Sequence, residues 1–321
     1  MKIGNTELKY GLMLAPMAGY TDRGMRVVCR KYGAEYSVTE MVSAKAVCFG
    51  DKKTHALAKI KSDEGPCAVQ IFGSEHDIMA KAAEILSRGE DGGALPVAID
   101  INMGCPVHKV FSNGEGSALM KNPDLIYKIV RAVSGATDIP CTVKLRAGVD
   151  TSSINAVECA LAAEMAGASL VAVHGRTRAE MYSGKANMRT VENVKKSVQI
   201  PVVANGDICS GADALRVLSE TGADGIMIGR AAIGNPFVFS EIAATLSGEE
   251  YIPPSLEDKV ETALLQLSEA IAEKGEGVAV REARKQIALY LRSFRGAAQI
   301  RAEINRAETY RDVERSLRLA F

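Results

Sequence analysis

The sequence lacks the features that mark secreted, membrane-spanning and metal-clustered proteins. Its seven cysteines are scattered without a C-x-x-C pair, and no His and Cys cluster has metal-ligand spacing, which excludes a disulfide framework and argues against a structural zinc site. No apolar run approaches the roughly 20 residues that span a bilayer, and the first eight residues are too polar for a secretory signal. Net charge is zero, so no global basic field attracts a polyanion. We therefore expect a reduced, cytoplasmic protein with neither a membrane nor an obligate protein partner.

The chain instead alternates short apolar runs with longer segments of 3.6-residue periodicity. The runs predict strands at residues 12–15, 36–39, 68–72, 98–101, 141–145, 170–173, 202–204 and 225–228. Helices alternating with continuously apolar strands are typical of βα units. Eight such units in about 240 residues predict an α/β fold, a (β/α)8 TIM barrel followed by a small C-terminal helical bundle. A doubly wound sheet is the alternative, although no GxGxxG follows its first strand.

Polar residues follow almost every predicted strand, at the end where barrel enzymes keep their chemistry. In chain order these ends carry Pro16-Met17-Ala18, Glu40, Gln70, Asn102 with Cys105, Lys144 with Arg146, His174 with Arg176, Asn205-Gly206-Asp207, and Gly229-Arg230. Any single one of them is as easily a structural cap. Eight at topologically equivalent positions indicate a functional site at the carboxyl ends of the strands.

The most informative stretch is 99–106, where an apolar strand ends in Asn102 and a tight turn presents Cys105. We expect Gly104 to take a backbone conformation that other residues resist, and Pro106 fixes φ just after the thiol. A thiol held there can act as a catalytic acid, base or nucleophile. The alternative is a small buried hydrophobe, which is the commoner fate of a free cysteine.

The turns after the last two strands indicate an anion site. Asn205-Gly206-Asp207 and Gly229-Arg230 each precede a predicted helix, and backbone N–H groups at such turns bind anions. This pair of loops often holds a phosphate in barrels, and Arg230 could add a charge-assisted hydrogen bond. The alternative is that the glycines serve only tight turns.

Lys144 and Gln70 suggest that the phosphate belongs to a flavin. A lysine beside the N1/O2 edge of an isoalloxazine stabilises the charge that develops on reduction, and an amide satisfies the N3/O4 edge, which carries a donor and an acceptor. His174 would bond the ribityl chain or the phosphate. The alternative for Lys144 is the Schiff-base lysine of an aldolase.

Six segments together resemble the tRNA-dihydrouridine synthases, and their order and spacing are most similar to the bacterial B-type branch. They are residues 14–22, 100–106, 144–146, 173–177, 204–207 and 228–231. The Asn-x-Gly-Cys-Pro element within 102–106 is the most specific of them. The resemblance extends from about residue 8 to about residue 310.

The resemblance implies an FMN enzyme that reduces the C5–C6 double bond of specific tRNA uridines, with NADPH or NADH as reductant. Reduced flavin N5 would deliver hydride to C6, and the neutral thiol of Cys105 would act as the acid that protonates C5. The uracil, flipped into the barrel mouth, would meet Asn102, Arg146 and Arg176. The implied FMN contacts are Pro16, Met17, Ala18, Gln70, Lys144, His174, Asn205, Gly206, Asp207, Gly229 and Arg230.

The last part of the chain predicts a helical unit with a basic surface. The expected domains are an FMN-binding barrel at 1–247 and a helical domain at 255–321, joined by a linker with Gly248 and Pro253-Pro254. Residues 281–321 carry ten basic and five acidic side chains. Charge alone is compatible with a solvated helical face, whereas the resemblance implies a tRNA-binding domain, for which arginine is suited. The expected phosphate contacts are Arg281, Arg284, Lys285, Arg292 and Arg295.

Three other functions fit parts of the sequence. An FMN barrel that acts on a free pyrimidine such as dihydroorotate has no need of the arginine-rich helices. A non-catalytic RNA-binding protein has no need of Cys105 and Lys144, and a phosphate-sugar isomerase or aldolase has no need of Gln70 or Cys105. His108, just after the cysteine turn, either acts near the site or lies on the surface.

Overall fold

The computed structural model describes residues 1–292 and 294–321 and contains a closed parallel β-barrel. Ser37 of the second strand pairs with Cys67 of the third, and Ile226 of the last strand pairs with Leu12 of the first. The predicted TIM barrel is therefore confirmed. Its barrel strands, numbered here in chain order, are β1 (Leu12–Leu14), β2 (Tyr36–Val38), β3 (Cys67–Phe72), β4 (Ala98–Met103), β5 (Cys141–Arg146), β6 (Leu170–His174), β7 (Val202–Asn205) and β8 (Gly225–Ile228). A further short strand, Val42–Ser43, pairs with β3.

Helices surround the barrel, and further helices follow it. The barrel helices and short loop helices are α1 (Arg23–Lys31), α2 (Ala44–Cys48), α3 (Lys52–Ala58), α4 (His76–Ser87), α5 (His108–Ser112), α6 (Pro123–Gly135), α7 (Ala156–Met165), α8 (Met188–Ser197), α9 (Gly211–Thr221) and α10 (Val238–Ser247). The C-terminal helices are α11 (Leu256–Lys274), α12 (Glu276–Ile287), α13 (Ala297–Ile304) and α14 (Tyr310–Arg318). Short 3₁₀ helices lie at Ser62–Glu64, Gly116–Lys121, Arg230–Ala232 and Ala288–Leu291.

Each predicted strand is present, and most run one or two residues further than their apolar pattern. Asn102, Arg146, His174 and Asn205 consequently lie inside strands rather than after them. Strand pairing therefore fixes the backbone of each of these polar residues. Hydrophobic residues line both faces of the strands, which explains why the strands read as continuous apolar runs.

The amino-terminal end of the barrel is closed by a short antiparallel hairpin of Lys2–Ile3 and Thr6–Glu7. Ile3 and Leu8 pack with inward-facing strand residues such as Met13. The opposite end, where the strands finish, is left for the polar side chains.

The C-terminal helices pack on α1 of the barrel through a very close helix contact. A Cβ added at Gly24 of α1 would lie 2.4 Å from the carbonyl oxygen of Gln266 in α11, so only glycine fits there. Beside it, the hydroxyls of Tyr32 and Thr262 are 2.7 Å apart. These helices also bury a cluster of their own. No helix in the described parts of the chain is long and apolar enough to cross a bilayer.

Candidate active site at the barrel mouth

Asn102 joins the floor of the barrel mouth to the cysteine turn. Its Oδ1 accepts hydrogen bonds from the backbone nitrogens of Cys105 at 2.9 Å and Gly104 at 3.2 Å. Its Nδ2 donates to Oε1 of Gln70 at 2.8 Å. Gly104 does not adopt a positive φ, so the expectation of a special glycine conformation is wrong. The Asn102 amide, anchored in β4, shapes the turn instead.

Gln70 belongs to a buried polar network below this turn. It is 1% exposed, and its Nε2 donates to Oδ2 of Asp100 at 2.7 Å, whose Oδ1 accepts from Thr142 at 2.6 Å. Burial raises the pKa of Asp100, against the effect of these hydrogen bonds and of Lys144. The network fixes the orientation of the Gln70 amide. One of the two N–H groups on Nε2 has no partner within the network, and the flavin contact of Gln70 stays a prediction.

Cys105 is partly exposed at the mouth, and its turn is held from behind by a second loop. Its carbonyl oxygen accepts from the Ser117 nitrogen at 3.2 Å and from the Ser117 hydroxyl at 2.8 Å. A Cβ at Gly116, where φ is +59°, would come within 3.1 Å of the Cys105 Cβ. Gly116 and Ser117 were not predicted as site residues, and the only hint of them in the sequence is the glycine-rich run at 114–117.

The Cys105 thiol is protonated at neutral pH. Burial raises its pKa above the ordinary value, against the opposing effects of the Val107 backbone N–H and the Arg146 charge. A thiol in this state is suited to donate a proton, whereas a nucleophilic cysteine needs a lowered pKa.

Lys144 of β5, which lies in register with Asn102 of β4, forms a pair with Asn205 of β7. Lys144 Nζ donates to Asn205 Oδ1 at 3.0 Å, and Asn205 Nδ2 donates to the Met227 carbonyl at 2.7 Å. Burial lowers the pKa of Lys144 to about 8, with a further lowering by Arg146 and opposition from Asp100. The Asn205 side chain thus bonds Lys144 and β8, and its contact with the phosphate end of a flavin stays a prediction.

Arg176 is buried at the end of β6, 1% exposed, and its donors are used inside the protein. Its Nη2 lies 2.9 and 2.7 Å from the two carboxylate oxygens of Asp207, and Nε donates to the Ser183 carbonyl at 2.9 Å. Burial would raise the pKa of Asp207, but the Ala186 N–H and Arg176 outweigh it and hold that pKa below its usual value. The expected contact of Arg176 with substrate does not fit this burial: Arg176 clamps the β6 loop to the β7 turn.

Arg146 has a similar positioning role. It is 3% exposed; Nε donates to the Gly104 carbonyl at 2.8 Å, and Nη1 donates to the carbonyls of Thr177 and Met181 at 2.8 and 3.0 Å. These bonds tie the cysteine turn to the β6 loop. Arg146 therefore supports the turn that carries Cys105, and its contact with a base or phosphate stays a prediction.

His174 lies beneath the β7 glycine turn as a neutral imidazole. Burial lowers its pKa to about 2, and the cations of Lys144, Arg146, Arg176 and Arg230 lower it further. Gly206 has φ of +120°, and a Cβ there would lie 2.9 Å from the His174 ring. The turn therefore needs glycine in order to pack on the imidazole.

The loops after β1 and β8 meet at the rim. A Cβ at Gly229 would lie 3.6 Å from Sδ of Met17, and Pro16, Met17 and Ala18 are all at least partly exposed. Gly229 precedes only the 3₁₀ helix Arg230–Ala232, and the next α-helix begins at Val238, so the helix expected directly after β8 is corrected. The helix expected after Gly206 does begin at Gly211, capped by Ser210.

An exposed aromatic side chain, which was not predicted from the sequence, also lies at the rim. Tyr182, in the β6 loop, is 53% exposed. The guanidinium of Arg230 lies 4.6 Å from its ring centroid, and Arg230 Nη2 lies 3.5 Å from Oδ1 of Asp207. The preceding Met181 has φ of +50°. A tyrosine five residues after the His174-Gly-Arg-Thr segment was the available clue.

The expected RNA-contacting residues divide into two groups. Arg281, Lys285, Arg292 and Arg295 are exposed, and the Lys285 ammonium lies 4.7 Å above the Tyr20 ring, on the loop after β1. Arg284 turns inward and donates to the Ala307 carbonyl at 2.7 Å, so its expected phosphate contact is corrected to a structural one. His108 is exposed on α5.

Comparisons with known proteins find a matching family, sequence relatives and a solved structure with the same fold. The family model described as dihydrouridine synthase (Dus) matches residues 13–321. The tRNA-dihydrouridine synthase B of Pseudomonas putida is 42% identical over 309 residues, covering 96% of this chain and 90% of that protein. That of Vibrio vulnificus is 42% identical over 306 residues, covering 95% and 94%. Among solved structures, histamine dehydrogenase from Rhizobium sp. 4-9 shares the fold, with a TM-score of 0.57 and 13% identity over 84% of this chain and 50% of that one.

Proposed function

The chain belongs to the dihydrouridine synthase family of oxidoreductases, and we propose that it reduces the C5–C6 double bond of specific uridines in tRNA to give 5,6-dihydrouridine. The family membership confirms the resemblance seen in the sequence, including its similarity to the B-type branch. The names of the relatives support tRNA as the substrate. A cytoplasmic location, where tRNA is available, follows from the same proposal.

The observation that carries the proposal is the turn that the Asn102 amide holds at the barrel mouth, where it presents the Cys105 thiol, and burial raises the pKa of that thiol. Addition of a hydride to C6 of uracil leaves negative charge that a proton at C5 must neutralise. A positioned general acid supplies that proton and typically contributes ~10²–10⁴-fold to the rate. An aldolase or isomerase would make no use of such a thiol.

The side chains at the mouth fit FMN by their donors, charges and packing. Lys144 is a cation with one protein acceptor, Asn205, and would hold the N1/O2 edge of the ring. His174 is neutral and would bond the ribityl chain without adding charge. Pro16, Met17 and Ala18 would line the ring. Bound FMN supplies the hydride, and NADPH or NADH restores it.

A phosphate fits between the β7 and β8 turns. Gly206 and Gly229 bring backbone close to this rim, and the exposed guanidinium of Arg230 supplies positive charge. The Asp207 carboxylate faces Arg176 and Arg230 rather than an anion, so Asp207 would contribute through its backbone. Arg176 would keep that carboxylate turned away.

The substrate-side roles follow the exposure of each side chain. Tyr182 would stack on the flipped uridine or its neighbour, since RNA-binding proteins stack unpaired bases on exposed aromatics. Asn102 first of all positions Cys105, and its contact with uracil remains a prediction. Arg281, Lys285, Arg292 and Arg295 would contact tRNA phosphates.

The proposal is tested by incubating the purified protein with NADPH and tRNA from a strain that lacks its dihydrouridine synthases. Dihydrouridine is then mapped by mass spectrometry, with Cys105→Ala as the inactive control. We expect dihydrouridine at one or a few positions with the wild type and traces with the variant. Bleaching of a bound flavin by NADPH without any dihydrouridine would instead indicate a barrel that acts on another substrate, such as a free pyrimidine.

A further inference from the structure

The turn that follows the predicted flavin-lining residues is held by the barrel. Gly19, with φ of +75°, donates its backbone N–H to the carboxylate of Glu40, at the end of β2. The backbone nitrogens of Tyr20 and Thr21 donate to the Met17 carbonyl at 2.9 and 3.0 Å. Any shift of this turn is therefore passed to Met17, which lies beside Gly229.

The C-terminal helices hold the same turn from the other side. Gln286 Nε2 lies 3.4 Å from the Gly19 carbonyl oxygen, and the neighbouring Lys285 ammonium lies 4.7 Å from the Tyr20 ring centroid. At the end of the turn, Lys274 donates to Asp22 at 2.8 Å, and Asp22 also caps α1. Three consecutive contacts thus connect α11 and α12 to one short loop of the barrel.

Gln286 is fixed in its orientation by a buried chain of hydrogen bonds. The side chain is 2% exposed. Its Oε1 accepts from Nε2 of Gln266 at 2.9 Å, and Oε1 of Gln266 accepts from the Tyr290 hydroxyl at 2.7 Å. Because the far end of the chain is a hydroxyl donor, the amide nitrogen of Gln286 is the group that faces Gly19. A buried amide pair with its polar atoms satisfied specifies one arrangement.

We propose that Gln286 is a positioning residue through which the C-terminal helices set the flavin-lining turn, so that tRNA bound to these helices strengthens FMN binding in the barrel. The inference rests on the proposed function, because it takes Pro16, Met17 and Ala18 as flavin contacts and α12 as an RNA-binding helix. α12 carries both Gln286 and the exposed basic residues Arg281 and Lys285. The coupling is reciprocal, so FMN strengthens tRNA binding by the same factor.

The test is a titration of the apoprotein with FMN, followed by quenching of flavin fluorescence, with and without saturating unmodified tRNA transcript. In the wild type, we expect tRNA to lower the Kd for FMN by about 5–150-fold, the usual range for coupled sites. Gln286→Met should raise the Kd for FMN without tRNA and abolish the effect of tRNA. Neither readout depends on turnover.

Thr262→Val is the matched control, because it breaks a partly buried hydrogen bond between α11 and the barrel, that of the Thr262 hydroxyl with Tyr32, but leaves the Gln286 contact with Gly19 and the groups that orient it. It should lower the melting temperature about as much as Gln286→Met while keeping the effect of tRNA on FMN binding. Equal behaviour of the two variants, or wild-type behaviour of Gln286→Met, would overturn the inference.

A surface variant keeps the inference testable if Gln286→Met does not fold. Lys285→Met removes the ammonium above Tyr20 and should raise the Kd for FMN in the absence of tRNA, which loss of a phosphate contact alone would not do. An unchanged Kd would contradict the inference. A wild-type protein that binds no FMN at all would overturn the cofactor assignment itself.

Discussion

The side-chain oxygen of Asn102 accepts a hydrogen bond from the backbone nitrogen of Cys105 at 2.9 Å. The last part of a barrel strand thereby holds the turn that presents the thiol. Arg146 and Ser117 hold the same turn through the carbonyls of Gly104 and Cys105. The thiol is thus placed by rigid elements on three sides, as the proposed catalysis by a positioned acid requires.

Replacement of Cys105 by alanine should slow uridine reduction without affecting flavin reduction. We expect bound FMN and its reduction by NADPH to be unaffected, because the thiol is needed only for protonation. Uridine reduction should slow by ~10²–10⁴-fold, measured under single-turnover conditions. Cys209→Ala, an exposed cysteine in the β7 loop, is the control. Equal rates for Cys105→Ala and wild type would remove the thiol from the mechanism.

Asn102→Ala should impair the same step by releasing the turn. The substitution leaves the backbone N–H groups of Gly104 and Cys105 without their acceptor, at a cost of ~1–3 kcal/mol where such groups are buried. Asn122→Ala, which removes the cap of α6, should lower the melting temperature without slowing uridine reduction. The idea would be abandoned if both variants kept wild-type rates.

FMN affinity should fall on the alkaline side of neutrality. The pKa of Lys144 is lowered to about 8, so the ammonium that would face the ring edge is lost as pH rises through that value. FMN titrations of the apoprotein from pH 7 to 9.5 should show a rising Kd. With Lys144→Met, binding should be weak at every pH and nearly flat over this range. A flat wild-type profile would contradict the role given to Lys144.

The same group makes a signed prediction for the stability of the apoprotein. Because the folded pKa of Lys144 lies below the ordinary value of 10.5, the unfolded chain binds more protons between about pH 8 and 10.5. The contribution of Lys144 to the free energy of unfolding should therefore rise with pH across that window. The difference in melting temperature between the wild type and Lys144→Met, followed against pH, measures this contribution.

Gly206→Ala should weaken FMN binding more than its backbone strain alone explains. A Cβ there would meet the His174 ring at 2.9 Å and Ala186 at 2.7 Å. Gly222 also has a positive φ, with open space around the added Cβ. Gly222→Ala should therefore cost only the ~1 kcal/mol of the left-handed conformation and leave the Kd for FMN unchanged. Similar FMN affinities for both variants would argue against the β7 turn as part of the flavin site.

Substitutions of the C-terminal arginines should weaken tRNA binding only where the side chain is exposed. Arg281→Ala with Arg295→Ala should weaken tRNA binding and lower its salt dependence by about one per lost phosphate contact. Arg284→Ala should mainly lower the melting temperature, since Arg284 supports the Ala307 carbonyl. Arg216→Ala on α9 serves as an exposed control. Equal salt slopes in the double variant and the wild type would place the RNA surface elsewhere.

The sequence was sufficient for the barrel and for the strand ends at which the candidate site residues gather. Buried parallel strands must be apolar throughout, so their runs are visible, and the first polar residue marks the strand end. The Asn102–Cys105 turn could be located in this way. Whether a polar side chain faces solvent or the protein was not visible, because that depends on backbone carbonyls contributed by distant loops.

Several residues whose hydrogen-bond partners could not be predicted from the sequence illustrate this. Arg146 and Arg176 stand at strand ends like the other candidate site residues, but both guanidiniums donate to carbonyls of the β6 loop. Arg284 follows the same pattern on α12 with Ala307. Gly104 suggested a special backbone, whereas Gly116 and Gly206 are the glycines whose positive φ values shape the site. Spacing along a chain does not report which of several glycines must take such a conformation.

The most direct test of the account is anaerobic mixing of the NADPH-reduced, FMN-loaded protein with unmodified tRNA in a stopped-flow spectrometer. We expect tRNA to reoxidise the flavin, with one dihydrouridine formed for each flavin reoxidised. Flavin that stays reduced in the presence of tRNA, while oxygen still reoxidises it, would contradict the assignment of uridine in tRNA as the substrate.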